Sequence, residues 1–598
     1  MKPFLSNHEI ADALREMAVF YEMDSIPFKP QAYEKAAESL DTFDTEASAL
    51  YTTGGIKAMR TIPGVGEGIA RHIEALLSHG TFPEYTKYKK QIPVNLAELR
   101  GVQGLGAKNI KTLYQKLKIK NLRDLETAAL AGKIEKIPHF GKRSQDNFLK
   151  GIEFLKKNRG RFLLGEIDPV VMEIESFLKK IPSAEHVITA GSYRRRQETL
   201  GDIDMLATAK HPKKITDAFT RMPGVSEILA HGTTKAIVRM KLGIEVDLRV
   251  VPEESYGAAL QYFTGSKEHN VLTRKIAIAK GLKLNEYGIF KGKKQIAGRT
   301  EEDVYHAIGL IWIDPELRTA TGEIEAALRQ AQGKTHCLPK IIPYGSLRGD
   351  LQVQTDWTDG QDSLEAMADA AREAGLEYIA ITDHTKALTM TGGLDEKGLA
   401  RQAKVIEKLN EKLSPPAGLA GVKNEKFKIL KSAELNILKD GSLDIHDTAL
   451  GKLDIVAVSI HSHFNLTEKE QTERIIRAMK HPLVNILFHP TGRLIQKREA
   501  YAVDMGKIIR AAKEYGVALE VNASPERLDL KDTHIRMAVE AGVKLVINSD
   551  AHATSHFGFL NFGVAQARRG WATAKDVLNT LPCESFLKAL KGLKKTKT

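Results

Sequence analysis

Residues 187–208 read VITAGSYRRRQETLGDIDMLAT: an apolar run ending in Gly191-Ser192, a short basic segment, and a second run with Asp202 and Asp204 two apart. On a strand, residues i and i+2 share a face, so both carboxylates point one way while Ile203 and Met205 point into a core. IEVDLRVV (244–251) repeats the pattern, with Glu245, Asp247 and Arg249 alternating with Ile244, Val246, Leu248 and Val250. Three carboxylates converging on one sheet face repel one another unless cations neutralise them. Two Mg²⁺ ions about 3.5–4 Å apart are the usual solution for phosphoryl or nucleotidyl transfer. Solvated acids on an amphipathic strand are the bland alternative, which the Gly-Ser turn ahead of the DxD strand disfavours.

Upstream, one pattern recurs three times: IPGVGEGIARHIEALL (62–77), VQGLGAKNIKTLYQKL (102–117) and IPHFGKRSQDNFLKGIEFL (137–155). Each pairs helices across a tight turn, and Gly66, Gly106 and Gly141 fall at repeat spacing for a helix-hairpin-helix. In the first two copies the turn is GxG, with Gly64 and Gly104, which lets backbone N–H groups approach a phosphate at a helix N-terminus. His139 stands at the corresponding place in the third, which predicts a weaker phosphate hairpin. Lys+Arg against Asp+Glu is 4 against 10 in residues 1–50 but 21 against 9 in residues 51–160, so the repeats lie in a basic block suited to a polyanion. Sequence-independent binding to a nucleic-acid backbone is the expectation.

Downstream, 315–349 reads as a connector, and strands then alternate with amphipathic helices: DLQVQT, EYIAITDH, FKILKSAELNIL, LDIVAVSIHSHF, VNILFHP, VALEVNA and KLVINSDAH. Seven such strands predict a parallel α/β barrel. His384, Glu434, His461, His489, Asn522, Asp550 and His552 cluster at the strands' C-terminal ends, where barrel enzymes gather their functional groups. A polar group on nearly every strand end predicts a metal cluster.

The whole chain has 598 residues and 66.2 kDa, 42% hydrophobic and 27% charged, a size for three to five globular domains. No apolar stretch reaches the roughly 18 residues of a membrane span, and the start lacks a signal h-region, so a cytoplasmic, nucleoid-associated protein with no membrane partner is expected. Cys337 and Cys583 are too few for a disulfide framework and form no CxxC pair, which argues against redox chemistry.

GSYRR, GDIDML and VDLRVV, followed by YFTGSKEHNVLTRKIA (262–277) and LNEYGIF (284–290), resemble the family X DNA polymerases, over about residues 1–315. TDH, SAE, IHSH, FHP and SDAH resemble the PHP (polymerase and histidinol phosphatase) domain of bacterial members, over about 345–580. The resemblance implies a multidomain chain: an all-α helix-hairpin-helix N-terminal region, an α+β nucleotidyltransferase palm and thumb, and a C-terminal α/β seven-stranded PHP barrel. The boundaries read as 1–88, 89–158 (fingers-like), 159–254 (palm), 255–318 (thumb), 319–344 (linker) and 345–598 (PHP).

It also implies roles. Asp202 and Asp204 would bind both metals, and Asp247 the catalytic one while assisting deprotonation of the primer 3′-OH. Gly191, Ser192 and Arg195 would hold the triphosphate of a dNTP; Tyr262, Phe263 and Gly265 would line the sugar pocket. Asn270 would meet the base's minor-groove edge and Arg274 the template. Lys35, Gly64, Gly66, Gly104, Gly106, Lys108 and Gly141 would contact gapped or primer-template DNA, Lys35 at a 5′-phosphate. A monomer is expected. Arg196 departs from the family pattern by replacing a glycine, and Lys267 by replacing an acid. His72 stands where relatives with lyase activity carry a Schiff-base lysine, with Gly68 replacing a supporting lysine, and imidazole forms no such adduct.

The PHP resemblance implies up to three Mn²⁺ or Zn²⁺ ions and 3′→5′ exonuclease chemistry. Asp359, His384 and His552 would hold one, Glu434, His461 and His489 another, and Glu434 with Asp550 a third. The family's first motif is HxH, where this chain has Gln352 and Gln354. An amide oxygen is a weaker ligand than imidazole, so a depleted centre is expected. The implied activity is gap-filling DNA synthesis with a weakened exonuclease. The alternatives are a PHP nuclease to which the N-terminal half delivers DNA, and a DNA-binding scaffold with both sites inert.

Overall fold

The computed structural model describes residues 5–43, 45–102, 104–158, 160–413 and 427–595. It divides into two compact units, one of residues 1–159 with 496–498, the other of 160–495 with 499–598.

The first unit is helical around a core that includes Phe20, Tyr21, Ile73, Leu113 and Phe148. The second helices of the three hairpins are Glu67–His79, Ala107–Leu117 and Lys142–Asn158. Gly64 and Gly104 have φ of +74° and +82°, the left-handed region where a side chain costs roughly 1–2 kcal/mol. His139 adopts the same turn at φ +73°, so the third hairpin keeps the shape of the other two and bears that cost. Gly66 and Gly106 cap their helices in extended backbone, and an added Cβ at Gly66, Gly106 or Gly141 would meet nothing within 4 Å.

The second unit begins with a two-stranded ribbon, β1 (Phe162–Leu163) with β3 (Thr199–Leu200), beside a five-stranded sheet. The sheet holds β2 (Ala184–Thr189), β4 (Asp202–Ala209), β5 (Val225–His231), β6 (Lys235–Met240) and β7 (Glu245–Val251) in the order β2-β4-β7-β6-β5. β4 and β7 are parallel, with Asp204 in register with Asp247. The alternation behaves as the sequence predicts: Ile203, Met205, Val246 and Leu248 are fully buried, each worth about 1.5–3 kcal/mol, which fixes the acids on the opposite face. A small antiparallel sheet follows, of β8 (Lys283–Asn285), β9 (Gly288–Lys291) and β10 (Lys294–Ala297).

The histidine-rich part differs from the closed seven-stranded barrel expected. Its parallel strands form two sheets. One contains β11 (Gly349–Val353), β12 (Tyr378–Ile381) and β13 (Lys428–Lys431). The other contains β14 (Glu434–Asn436), β15 (Ala457–Ser459), β16 (Ile486–Leu487), β17 (Ala518–Asn522) and β18 (Leu545–Asn548). FKILKSAELNIL, one strand by its pattern, is broken at Ser432-Ala433 into β13 and β14, and among the described residues isolated bridges, His384 to Glu434 and Val353 to Ala551, join the two sheets. At the second seam polar side chains stand in for much of the ladder: Leu351 N donates to Asn548 Oδ1 (3.1 Å), and Asn579 Nδ2 donates to both Gly349 O (2.7 Å) and Ile547 O (2.6 Å), beside the backbone bond from Gln354 N to Ala551 O (2.8 Å). Backbone groups are thus satisfied without closing the ladder.

Candidate functional site

The turn after β2 runs straight into the helix Gly191–Arg194. Gly191 has φ +58°, and a Cβ there would collide with the Asp204 carboxylate, so only glycine lets the turn approach the acids. Gly191, Ser192, Arg195, Asp202, Asp204, Tyr262, Phe263, Gly265, Asn270 and Arg274 line one cavity of about 320 Å³, together with Lys267. Asp247 lies behind Asp204 on the neighbouring strand.

The cavity is electrostatically unfinished. Burial, then the neighbouring Asp202 and Asp247, push the Asp204 carboxyl up to about 6. Asp247 Oδ1 is buried without a hydrogen-bond partner, while its Oδ2 faces Lys235 Nζ at 3.3 Å and Arg249 Nη2 at 3.5 Å. Burial, then Arg569, lower Arg195 to about 10; its Nε has no partner, and its Nη1 donates to the Thr264 carbonyl. Crowded carboxylates beside an under-satisfied buried guanidinium fit divalent cations on one side and an anionic ligand on the other. Asn270 is already committed: Nδ2 donates to Tyr262 O (2.7 Å) and Oδ1 accepts from Gln261 (2.9 Å), which makes it a fixed part of the wall.

Arg196 stands at φ +51°, the region glycine enters without strain, which is why a glycine fits the family turn there. Here its guanidinium ion-pairs with Asp168 (2.9 Å) and lies 4.8 Å over the Tyr193 ring, contacts that offset the strain. In the helical unit, Lys35 is exposed beside Gly64, and Lys108 is exposed on its hairpin helix. His72 Nδ1 pairs with the Tyr33 hydroxyl at 2.7 Å, its ring stacks on Phe82, and burial lowers its pKa.

At the strand ends of the PHP-like part, two groups stand within metal-ligand reach: Asp359 with His384 and His552, and His384 with Glu434 and His461. His489, expected beside Glu434 and His461, meets Glu434 Oε1 at 2.8 Å but lies outside the second group, whose third member is His384. Burial opposes it, yet Glu434 and then Asp359 raise His384 to about 9. Its Nδ1 is buried with no hydrogen-bond partner, which suits a ligand atom. Asp550 lies outside both groups. Arg527 Nε sits 3.3 Å from its Oδ2 and Asn522 Nδ2 donates to it at 3.1 Å.

The two glutamines close the remaining position. Gln352 Nε2 (3.1 Å) and Gln354 Nε2 (2.9 Å) both donate to Glu434 Oε2, and Asn522 Nδ2 donates to Gln352 Oε1 (3.1 Å). Amide hydrogens thus point where a cation would have to sit. The two groups, which share His384, offer ligand atoms that suit a metal, whereas the place that Gln352 and Gln354 fill presents amide donors. Sequence reasoning missed Lys235 and Arg527. Strand alternation places Lys235 on the face of Asp247 and could have found it, whereas nothing local marks Arg527.

Family models match in chain order: a helix-hairpin-helix domain at 5–82, the DNA polymerase beta palm at 165–282, the DNA polymerase beta thumb at 259–319 and the PHP domain at 350–524. The chain is 34% identical over 588 residues to the DNA polymerase/3′-5′ exonuclease PolX of Bacillus subtilis, covering 97% of this chain and 99% of that protein. It is 31% identical over 243 residues to a probable phosphatase of Thermoanaerobacter sp. (38% of this chain, 90% of that protein). It is 24% identical over 345 residues to rat DNA polymerase lambda (52% of this chain, 56% of that protein). Acids in register on β4 and β7, the glycine turn against them, and likeness to PolX along nearly the whole length lead to one assignment: the chain belongs to the family X DNA polymerases that carry a PHP domain.

Proposed function

We propose that the protein is a repair-type, gap-filling DNA polymerase whose PHP domain is a weakened 3′→5′ exonuclease. The observation that carries the first part is Asp202 and Asp204 beside Arg195 in one cavity, with Asp247 in register behind Asp204 and its Oδ1 left unpartnered. In nucleotide addition the primer 3′-oxygen forms a bond to the α-phosphorus of a dNTP, and the bond to the bridging oxygen breaks to release pyrophosphate. Divalent ions, Mg²⁺ in this reading, would be held by the three aspartates and would stabilise charge on both oxygens. The chain's own groups orient and screen. Ser192 and Arg195 hold the triphosphate beside the short helix, Lys235 and Arg249 hold Asp247 in place, and the Tyr262-Phe263 wall shapes the sugar pocket. Lys267 adds a positive charge to that wall where relatives carry an acid, which favours nucleotide binding through charge.

The PHP centre offers Mn²⁺ or Zn²⁺ two groups of ligands that share His384, Asp359 with His384 and His552 and His384 with Glu434 and His461, with His489 against Glu434; a third ion would find the Gln352 and Gln354 amides in its place. The lining of the first cavity and the glycine hairpins support gapped DNA as the substrate. The deciding experiment is single-nucleotide gap filling by Asp247→Ala. Loss of incorporation by at least about a thousandfold with DNA affinity unchanged is expected, since a charge-stabilising ligand and no phosphate contact is removed. Retained incorporation overturns the reading.

A further inference from the structure

The segment from the helix Gly191–Arg194 through β3 to β4 carries Arg195 at one end and leads into Asp202 at the other, so its conformation sets the distance between triphosphate and metal groups. Its middle is held by side chains more than 290 residues away. Glu198 accepts two bonds from Arg493, Nη1 to Oε2 at 3.0 Å and Nη2 to Oε1 at 2.6 Å, and a third from Gln566 Nε2 at 2.7 Å. These groups are largely buried: the Arg493 and Glu198 side chains are 13% and 21% exposed and Gln566 is 1% exposed. At the same surface Arg569 Nη1 donates to the Arg195 carbonyl (3.4 Å) while its other nitrogen pairs with Asp532. Arg493 is itself fixed by donating to Leu528 O.

Apolar contact seats the same surface. Phe562, on the helix Leu560–Arg569 with Gln566 and Arg569, packs on the palm core. A Cβ at Gly165 would lie 2.5 Å from the Pro525 ring, so palm and PHP backbones meet at glycine distance.

We propose that Arg493, Gln566 and Arg569 are positioning residues for nucleotide addition: the PHP domain supplies the rear wall of the triphosphate-binding loop, acting through Glu198 and the Arg195 carbonyl. A buried, two-pronged Arg–carboxylate pair fixes orientation as well as distance, which a point charge would not. The role rests on the polymerase reading but not on the PHP metals.

The test is steady-state single-nucleotide gap filling by the full-length protein, with Glu198→Gln, Arg493→Ala, their double variant and Arg493→Lys. Each single change should raise the KM for dNTP by about tenfold to about a hundredfold, with kcat within about threefold and DNA affinity unchanged, because the loop loses aim and not chemistry. The double variant should match the worse single one, since both break one pair. Lysine at 493 should restore part of the loss. Should Arg493→Ala fail to fold, Glu198→Gln, nearly isosteric, carries the test from the palm side. An unchanged KM in a folded variant, additive effects in the double variant, or a fall in kcat alone would overturn the proposal. Asp247→Ala tests the underlying reading separately, since it acts on incorporation and leaves this pair intact.

Discussion

Changing Gln352 and Gln354 together to histidine should create a third metal position in the PHP centre, and the structure sets the scale of the effect. In the wild type, Glu434 Oε2 receives amide bonds of 3.1 and 2.9 Å from these residues. A hydrogen bond to a charged group contributes about 1.5–3 kcal/mol, so an incoming cation must displace roughly 3–6 kcal/mol of existing stabilisation. At about 1.4 kcal/mol per factor of ten, that depresses affinity at this position roughly 10²–10⁴-fold before the ligand chemistry is counted. Both side chains already reach Glu434, so imidazoles at the same positions would replace donors to the carboxylate with ligands beside it. The assay is metal content after dialysis against Mn²⁺, paired with melting curves with and without chelator. The double variant should bind about one more ion per chain, and chelator should lower its melting temperature more than the wild type's, since occupancy at a hundred times Kd adds about 2.7 kcal/mol. Trimming of 3′ ends should rise from a low wild-type level while DNA synthesis stays the same. Equal metal content, or a wild type already trimming at the variant's rate, would refute the reasoning.

Three further outcomes follow from the geometry. DNA affinity should fall steeply with salt, and neutralising exposed Lys108 and Lys142 should flatten the log–log slope by about 0.9 each; Lys111, paired with Asp24 at 2.8 Å, should leave it unchanged, a result read by fluorescence anisotropy across a salt series. Glu301 is almost fully buried between Arg194 and Arg318; burial opposes its ionisation, but Arg318 and then Arg194 hold its carboxyl well below the usual range. A depressed acid stabilises the fold above its unfolded pKa, and that stability is lost as pH falls through the folded value. Glu301→Ala should therefore cost about 3–5 kcal/mol at neutral pH, seen as faster hydrogen exchange around 256–313, with the penalty shrinking progressively as pH falls below about 4.5. Borohydride should not trap the protein on a 5′-deoxyribose-phosphate end through residue 72, because His72 is an imidazole tied to Tyr33; a peptide map carrying the adduct at that residue would contradict this.

What the sequence determined by itself was whatever repeats at short range. Alternation at Asp202, Asp204 and Asp247 set the acidic face, because apolar neighbours on the same strands can be buried only one way. Glycine spacing marked the hairpins, and polar residues after successive apolar runs marked the strand ends, since both depend on the local backbone. Only the tertiary structure decided the pairings that make these parts work. The glutamine amides turn to a carboxylate 80 and 82 residues away, Asp550 is taken by Arg527, and Lys111 is tied to Asp24. The expected barrel breaks into two sheets where the Asn548 and Asn579 side chains satisfy the backbone at a seam. Glu198, unremarkable within its own loop, is gripped by Arg493 from 295 positions along the chain. Such contacts join groups that no local period relates. Their geometry is fixed by how whole layers pack, and it decides which ligands are available, which charges are screened and which loop is held.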